Sequence, residues 1–421
     1  MTRTSLPLRR LFKIFNGGTP TASEENWGGS IPWATPVDLA NGAIGVSETQ
    51  RTLTQVGVKS SSSVVPRGSI LLSTRAPIGY TAIAEIPIAF NQGCRALVPL
   101  GESDVRFFRY QLEARKNDLR AAGMGTTFSE LSSGALADFE VECPSFSEQR
   151  IIADFLDIEV SRLEALVSAS ERIRALLNDK RAELIYSEAL GSRVRGRHKD
   201  VALGWVSGVP ESWEVVPLKY IARLGTGHTP SRTNSKYWEN CDIPWISLFD
   251  VGRMRDPRQE VIGSTTQMIS QLGLDGSSAV LHPAGTVVLS RTASVGFSTI
   301  MGKEMAVSQH FVTWTCGDRI NPTYLLYLLR SMKQYFESVQ VGTTNVTVFM
   351  PDLYSIRVPL PPILTQEEIV NEIQSRVGEI DHLACKVDRK ISLLKERKHA
   401  LITAAVTGQI DVTTARGADL S

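Results

Sequence analysis

The sequence predicts an α+β protein made twice over: two globular heads of short twisted strands and helices, separated by two long antiparallel coiled-coil helices in a pseudo-two-fold dumbbell. Three observations predict it. The chain matches itself over most of its length when displaced by 217 residues. Each copy passes from a turn-rich, β-branched part to a long stretch that is free of proline and poor in glycine. That stretch places apolar residues at alternating steps of four and three, the spacing of a coiled-coil seam.

Bulk properties set the frame. At 421 residues the chain exceeds one typical core, so two or more units are expected. Hydrophobic residues at 42%, charged residues at 21% and a mean hydropathy near zero describe a soluble globular protein. The sequence has no apolar run of ~20 residues that would span a bilayer. The opening "MTRTSLPLRRLFKIFNGG" has neither the apolar block nor the cleavage site of a secretory signal, so a cytoplasmic location is expected. Cys94, Cys143, Cys241, Cys316 and Cys385 lie far apart with no zinc spacing, which predicts reduced, mostly buried thiols and no metal. A formal net charge of +1 is unlike the strongly basic balance of a free-standing nucleic-acid binder.

The elements follow in order. The first head, residues 1–145, contains "IPWATPVDL" (31–39), and the second, 210–362, contains "IPWISLFDV" (243–251). "RGSILLSTRAPIG" (67–79) falls on "AGTVVLSRTASVG" (284–296), so Gly68, Ser73 and Gly79 meet Gly285, Ser290 and Gly296. Gln92 meets Gln309, Tyr110 meets Tyr327, and "GTT" at 125–127 meets "GTT" at 342–344. "GGTP" (17–20) pairs with "GHTP" (227–230) at a displacement of 210, as expected if loops differ in length between copies. Runs such as "SILLST" and "TVVLSR" read as strands between turns. One helix interrupts each head: from about Asp104 to Ala122 in the first, and from Asn321 as N-cap with Pro322 at the first helical position in the second.

A first long helix over 146–192, a linker over 193–209, a second long helix over 363–408 and a tail over 409–421 complete the chain. The second helix sets Ile373, Val377, Ile380, Ala384, Val387, Ile391, Leu394, Lys398 and Leu401 on one stripe. The first sets Leu156, Val160, Leu163, Val167, Ser170, Arg174, Leu177, Arg181 and Leu184 in the same register. Its polar interruptions are compatible with a seam in which polar groups fix alignment. A helix of about 43 residues extends roughly 65 Å, an upper limit on the separation of the heads.

Several chemistries lack their motifs. There is no P-loop, no His-Glu-x-x-His, and no Asn/Asp-Pro-Pro-aromatic methyltransferase motif, since "LPPIL" (360–364) has Leu and Ile at the diagnostic places. His228, His282 and His310 are scattered and read as structural or surface groups.

Two copies of a domain opening with "GGTP" or "GHTP", running through "IPW", "LLSTRAPIG" and "VLSRTASVG", and closing in Pro-x-x-x-Glu-Gln (144–149) before a long helix resemble the specificity subunit of type I restriction-modification systems. The C-terminal "LLKERKHALITAAVTGQ" is the most specific element of the likeness. The first copy departs from it in having no counterpart of "PESWEVVPL" (210–218), and "PSFSEQR" is only loosely matched by "PPILTQEE". The resemblance implies two target recognition domains, each reading one half of a split asymmetric double-stranded DNA site, with the helices fixing the unread gap. It implies a chain without catalysis or bound cofactor, assembled with two methyltransferase subunits that use S-adenosylmethionine and with translocase-nuclease subunits that use ATP and Mg. Divergent heads on one ruler suit a non-palindromic target, since identical heads would demand identical half-sites.

Base reading favours Arg, Lys, Asn and Gln on loops. The candidates are Arg51, Lys59, Thr74, Arg75 and Gln92 in the first head, and Arg232, Lys236, Arg253, Arg255, Arg258, Arg291 and Thr292 in the second. "GRMRDPR" (252–258) is either a reading loop or a solvated one. The matched "STR" and "SRT" point to phosphate contact or a structural turn, and the repeated "GTT" to a helix cap or phosphate contact. Trp33 and Trp245 are expected in the core, and Gly79 and Gly296 at positive φ. Two other classes compete: a two-headed scaffold without a DNA role, and a methyltransferase carrying its own recognition domains.

Overall fold

The computed structural model describes residues 4–40, 44–75, 77–123, 130–206, 208–341 and 346–412. It divides into two compact units, residues 1–170 with 390–421, and residues 171–389. These units cut across the expected boundary between heads and helices, because each takes part of both long helices. The helices themselves are Phe146–Ala189 and Ile363–Val406, 44 residues apiece and displaced by the 217 that holds over most of the repeat.

In the first unit, a five-stranded sheet has the order Phe12–Asn16, Cys94–Pro99, Ile70–Ser73, Thr81–Ala84, Gly45–Val46. A four-stranded sheet runs Thr52–Leu53, Trp27–Ala34, Ile88–Phe90, Val64–Val65. The central strand "ILLS" is buried at all four positions, which is why it reads as a continuous apolar run without alternation. It starts at a tight turn closed by Ser69 N–H donating to the Pro66 carbonyl, where Gly68 has φ +85° as the third turn position requires. The core joins Phe12, Ile70, Leu72, Phe107 and Phe108 of the head to Ile152, Ala153, Leu156 and Val160 of the first long helix and Ile402, Ala405 and Val406 of the second. The start of one helix therefore meets the end of the other, and Lys398 Nζ stands 2.7 Å from Glu164 Oε1. The helices run antiparallel here.

The second unit repeats the plan, with sheets ordered Ala222–Thr226, Phe311–Cys316, Val287–Ser290, Ser298–Met301, Val261–Ile262 and Gln267–Ile269, Ile243–Ile246, Met305–Val307, Leu281–His282. Its core includes Leu184 and Ile185 from the first long helix and Ile373, Val377 and Ile380 from the second. Ion pairs Arg174–Asp388, Arg181–Asp381 and Arg376–Glu188 rise along one helix as they fall along the other, so the sense is again antiparallel.

The seam is buried as its spacing predicts at Leu156, Val160, Leu163, Leu184, Ile373, Val377, Ile380, Ala384 and Ile391, and half-buried at Val167, Leu177, Val387, Leu394 and Leu401. Two of its polar interruptions are buried as well. Ser170 returns its hydroxyl to the Leu166 carbonyl, and Arg181, 3% exposed, reaches Asp381 at 3.2 Å and Glu260 at 3.5 Å.

Four expectations need correction. The head helix is broken in both copies, into Val105–Ala114 and Lys116–Ala122 around Arg115, and into Pro322–Ser331 and Lys333–Val339 around Met332. The supposed linker forms a strand pair, His198–Asp200 with Gly208–Pro210, and buries Trp205 in the second core. The first copy does have the lead-in strand: Thr4–Pro7 pairs with Glu140–Cys143 just as Glu214–Pro217 pairs with Arg357–Leu360. The thiols are less buried than expected, with Cys94 alone fully buried, Cys143, Cys241 and Cys316 half-buried, and Cys385 exposed.

"PSFSEQ" and "PPILTQ" prove to be closely equivalent. Gln149 donates to the Pro144 carbonyl and accepts from Asp104 N–H at 3.0 Å; Gln366 donates to the Pro361 carbonyl and accepts from Asn321 N–H at 2.9 Å. Asn321 in turn accepts from Thr323 and Tyr324 N–H as the predicted N-cap. A glutamine on each long helix thus ties that helix to the cap of the head helix.

Candidate nucleic-acid interface

The Ile-Pro-Trp element owes its recurrence to a strand that ends in an acid-braced turn. After the strand, Asp38 accepts from Thr35 N–H at 2.8 Å and from Gln50 N–H at 3.0 Å. Asp250, with no exposed surface, accepts from Ser247 N–H at 2.9 Å and Thr266 N–H at 2.7 Å. Each carboxylate fixes the turn after the strand and the loop beyond it. Trp33 and Trp245 are buried, as expected, and their indole N–H groups hold the carbonyls of Gly18 and His228. Trp27 and Trp238 stand edge-to-face on them, at 4.9 Å and 5.5 Å, and hold the carbonyls of Thr21 and Ser231. Both tryptophans of each pair therefore pin the Gly-x-Thr-Pro loop. Gly17 and Gly227 open that loop where a Cβ would collide with the carbonyls of Asn91 and Val307.

On this frame the candidates separate. Arg51 lies over Trp27 with its guanidinium carbon 3.4 Å from the ring centroid, and Arg232 lies over Trp238 at 3.7 Å. Their sequence positions do not correspond, since Arg51 follows the Ile-Pro-Trp strand and Arg232 precedes it. Gln92 and Gln309 accept from Thr19 and Thr229 of the two loops, the second pair at 2.6 Å. Arg95 gives Nη1 to the Gln92 carbonyl, and Glu130 joins Arg95 to Arg75 at 3.5 Å and 3.1 Å. Arg51, Gln92, Arg75 and Arg232 are thus on or beside the pinned loops.

Other candidates are differently placed. Lys59 is exposed on the helix Gln55–Ser61, and Lys236 is exposed in the turn before Trp238. Thr74 has no exposed surface and its hydroxyl donates to the Gly93 carbonyl, so it belongs to the frame. Arg291, its positional counterpart, gives Nε to the Gln309 carbonyl, and burial pulls its pKa below the usual arginine value. Thr292 bridges to Thr347. The matched "STR" and "SRT" thus lie in turns of the frame, with Gly79 and Gly296 at φ +93° and +88° behind them and Arg75 exposed. "GRMRDPR" does not gather its arginines. Arg253 braces Asp250; Arg255 reaches Ser294 and lies 5.5 Å from the Phe297 ring centroid; Arg258 pairs with Asp256 at 3.0 Å and Asp388 of the second long helix at 3.6 Å. Both "GTT" segments lie outside the described residues.

Sequence reasoning missed Trp27, Trp238, Gln309 and Arg95. The first two carried a signal, since a second tryptophan precedes Ile-Pro-Trp in both copies.

A recognition frame built twice, with cationic groups brought to matched places from unmatched loops, defines a tandem recognition protein. The chain belongs to the family described as "Type I restriction modification DNA specificity domain", which matches it at residues 5–167 and again at 210–386. Among its relatives, the type I restriction enzyme MjaIX specificity subunit of Methanocaldococcus jannaschii is 27% identical, covering 96% of this chain and 93% of that one. The EcoBI specificity subunit of Escherichia coli is 21% identical over 77% of this chain and 70% of its own. A solved chain from a study of complex assembly and conformational transition of the type I R-M system is 17% identical, covers 96% of this chain and 97% of that one, and has a TM-score of 0.65, a likeness of fold. Among the described residues no helix is long and apolar enough to cross a membrane.

Proposed function

We propose that each head reads one half of a bipartite, asymmetric sequence in double-stranded DNA, and that the paired helices set the unread gap and dock two methyltransferase subunits. The observation that carries this is the Arg-on-Trp stack: one frame presents a guanidinium over a tryptophan beside the same pinned loop in both heads, but from different sequence positions. Stacking over an indole leaves guanidinium N–H groups that suit guanine acceptors in the major groove, with Arg232 braced by Nη2 donating to Gln267 Oε1 at 3.0 Å. The chain itself does no chemistry and binds no cofactor. The methyltransferase partners bring S-adenosylmethionine, and translocase-nuclease subunits bring ATP and Mg, in the cytoplasm.

A net charge of +1 fits this division of labour, with partners supplying much of the phosphate contact. Sequencing of modified DNA from cells expressing the chain with its methyltransferase tests the reading. The expected motif is two unlike short blocks with an unspecified gap; a continuous or palindromic motif contradicts it, and random modification favours the scaffold reading.

A further inference from the structure

In the first unit a cavity of about 280 Å³ opens between the broken head helix and the end of the second long helix, lined by Leu39, Tyr80, Arg109, Glu113, Lys116 and His399 among others. Arg109 is 4% exposed, yet among the described residues its Nε and Nη1 have no acceptor. Its Nη2 stands 3.2 Å from Glu113 Oε2, and Glu113 Oε1 stands 3.5 Å from Lys398 Nζ. One carboxylate is thus shared between two cations. Lys116 adds a third, with Nζ 3.5 Å from the Tyr80 ring centroid. Burial, and then Arg120, pull the Lys116 pKa below the usual lysine value, while Glu113, whose Oε2 has no hydrogen-bond donor among the described residues, opposes the shift.

The duplication supplies an internal control. Displaced by 217, Arg109 becomes Leu326 and Glu113 becomes Arg330, while Lys116 keeps its identity as Lys333. Leu326 lies fully buried in the second core, so the frame does not need an arginine at that place. The cation that the second unit does carry, Arg330, is satisfied by the carbonyls of Pro257, Gln259 and Ser298. A buried guanidinium with unmatched donors is costly, by several kcal/mol where no partner compensates. The first unit keeps one in a cavity, where the second has a leucine.

We propose that this cavity binds a small phosphate-bearing ligand, held by the free donors of Arg109 with Lys116 as second cation. Lys398 is taken up more closely by Glu164, at 2.7 Å, so Arg109 and Lys116 stand against the one carboxylate of Glu113 and leave the lining net cationic. A phosphate group offers several acceptor oxygens to the separate edges of one guanidinium. The depth of Arg109 keeps the backbone of a duplex out, so the ligand is a free ion or a small phosphate ester.

Calorimetric titration of the full chain with inorganic phosphate and with glycerol phosphate tests this, with acetate at matched ionic strength as the control. Saturable binding of one or both phosphate probes is expected, weakened about tenfold or more in Arg109→Leu and in Lys116→Ala. Tighter binding of inorganic phosphate identifies the free ion, and tighter binding of the ester an organic phosphate. Arg109→Leu places the second unit's residue at this position but leaves Glu113 with Lys398 alone, so Lys116→Ala carries the test if the melting point of Arg109→Leu in phosphate-free buffer falls below that of the parent. General stabilisation by phosphate exclusion would raise parent and variants alike. Failure of both phosphate probes to saturate, equal binding by the parent and both variants, or acetate binding as tight as phosphate would overturn the proposal.

Discussion

Arg51 and Arg232 reach equivalent tryptophans from unrelated places in the two copies, and that separates what the frame conserves from what each head adds. Replacing Arg232 with Ala should weaken binding of the methyltransferase complex to its cognate duplex by about 1–3 kcal/mol and relax one half-site only. Competition with duplexes altered in either half checks it, and an equal loss on every sequence would assign Arg232 to phosphate contact. Arg232→Lys should restore little, because an ammonium does not lie flat on an indole as a guanidinium does. Thiol reactivity gives a second residue-level outcome. Burial pushes the Cys94 and Cys316 thiols up to about 12 and raises Cys143 and Cys241, whereas Cys385 is exposed on its helix. A disulfide reagent at pH 8 should therefore modify Cys385 first in the native chain and all five thiols after denaturation. At this scale the sequence was legible where one residue type serves one purpose, as with Gly79 and Gly296. Thr74 was misread because a hydroxyl beside an arginine looks the same in a buried turn as on a surface.

Between residues and molecule stand the long helices, whose seam and length were readable from apolar spacing. Their starts at 146 and 363 match the expected bounds, but the tie of each start to its head was not legible, because the glutamines at 149 and 366 act through backbone groups of a helix cap 45 residues upstream. Gln366, with no exposed surface, donates to the Arg319 and Pro361 carbonyls and accepts from Asn321 N–H. Gln366→Leu should cost about 1–3 kcal/mol in urea unfolding by leaving those groups unpaired. Arg181 offers a contrast. Removing it as Arg181→Ala takes the cation from Asp381 and leaves Glu260 with Tyr327 Oη, and should cost about 3 kcal/mol, whereas Arg181→Met, which keeps the volume, should cost less. Equal losses in the two variants would mean that the side chain only fills space. The breaks at Arg115 and Met332 escaped detection because neither residue is a helix breaker.

For the whole chain, duplication was the most legible feature, since a displacement of 217 carries strands, turns, caps and both long helices onto their counterparts. The linker hairpin around Trp205 was hidden because it lies between the matched segments, where the repeat offers nothing to compare. In the proposed arrangement the helices act as a spacer. A heptad inserted after Leu177 and another after Ala384 keeps the seam in phase and should lengthen the gap by about 10.5 Å, or roughly three base pairs. Exchange of one head is the most direct test of the central claim that two independent readers share one chain. When residues 1–145 are replaced by those of a relative and the methylated sequence is determined in cells, one half of the motif should change while the other half and the gap persist. A motif altered in both halves, or in neither, would contradict the account.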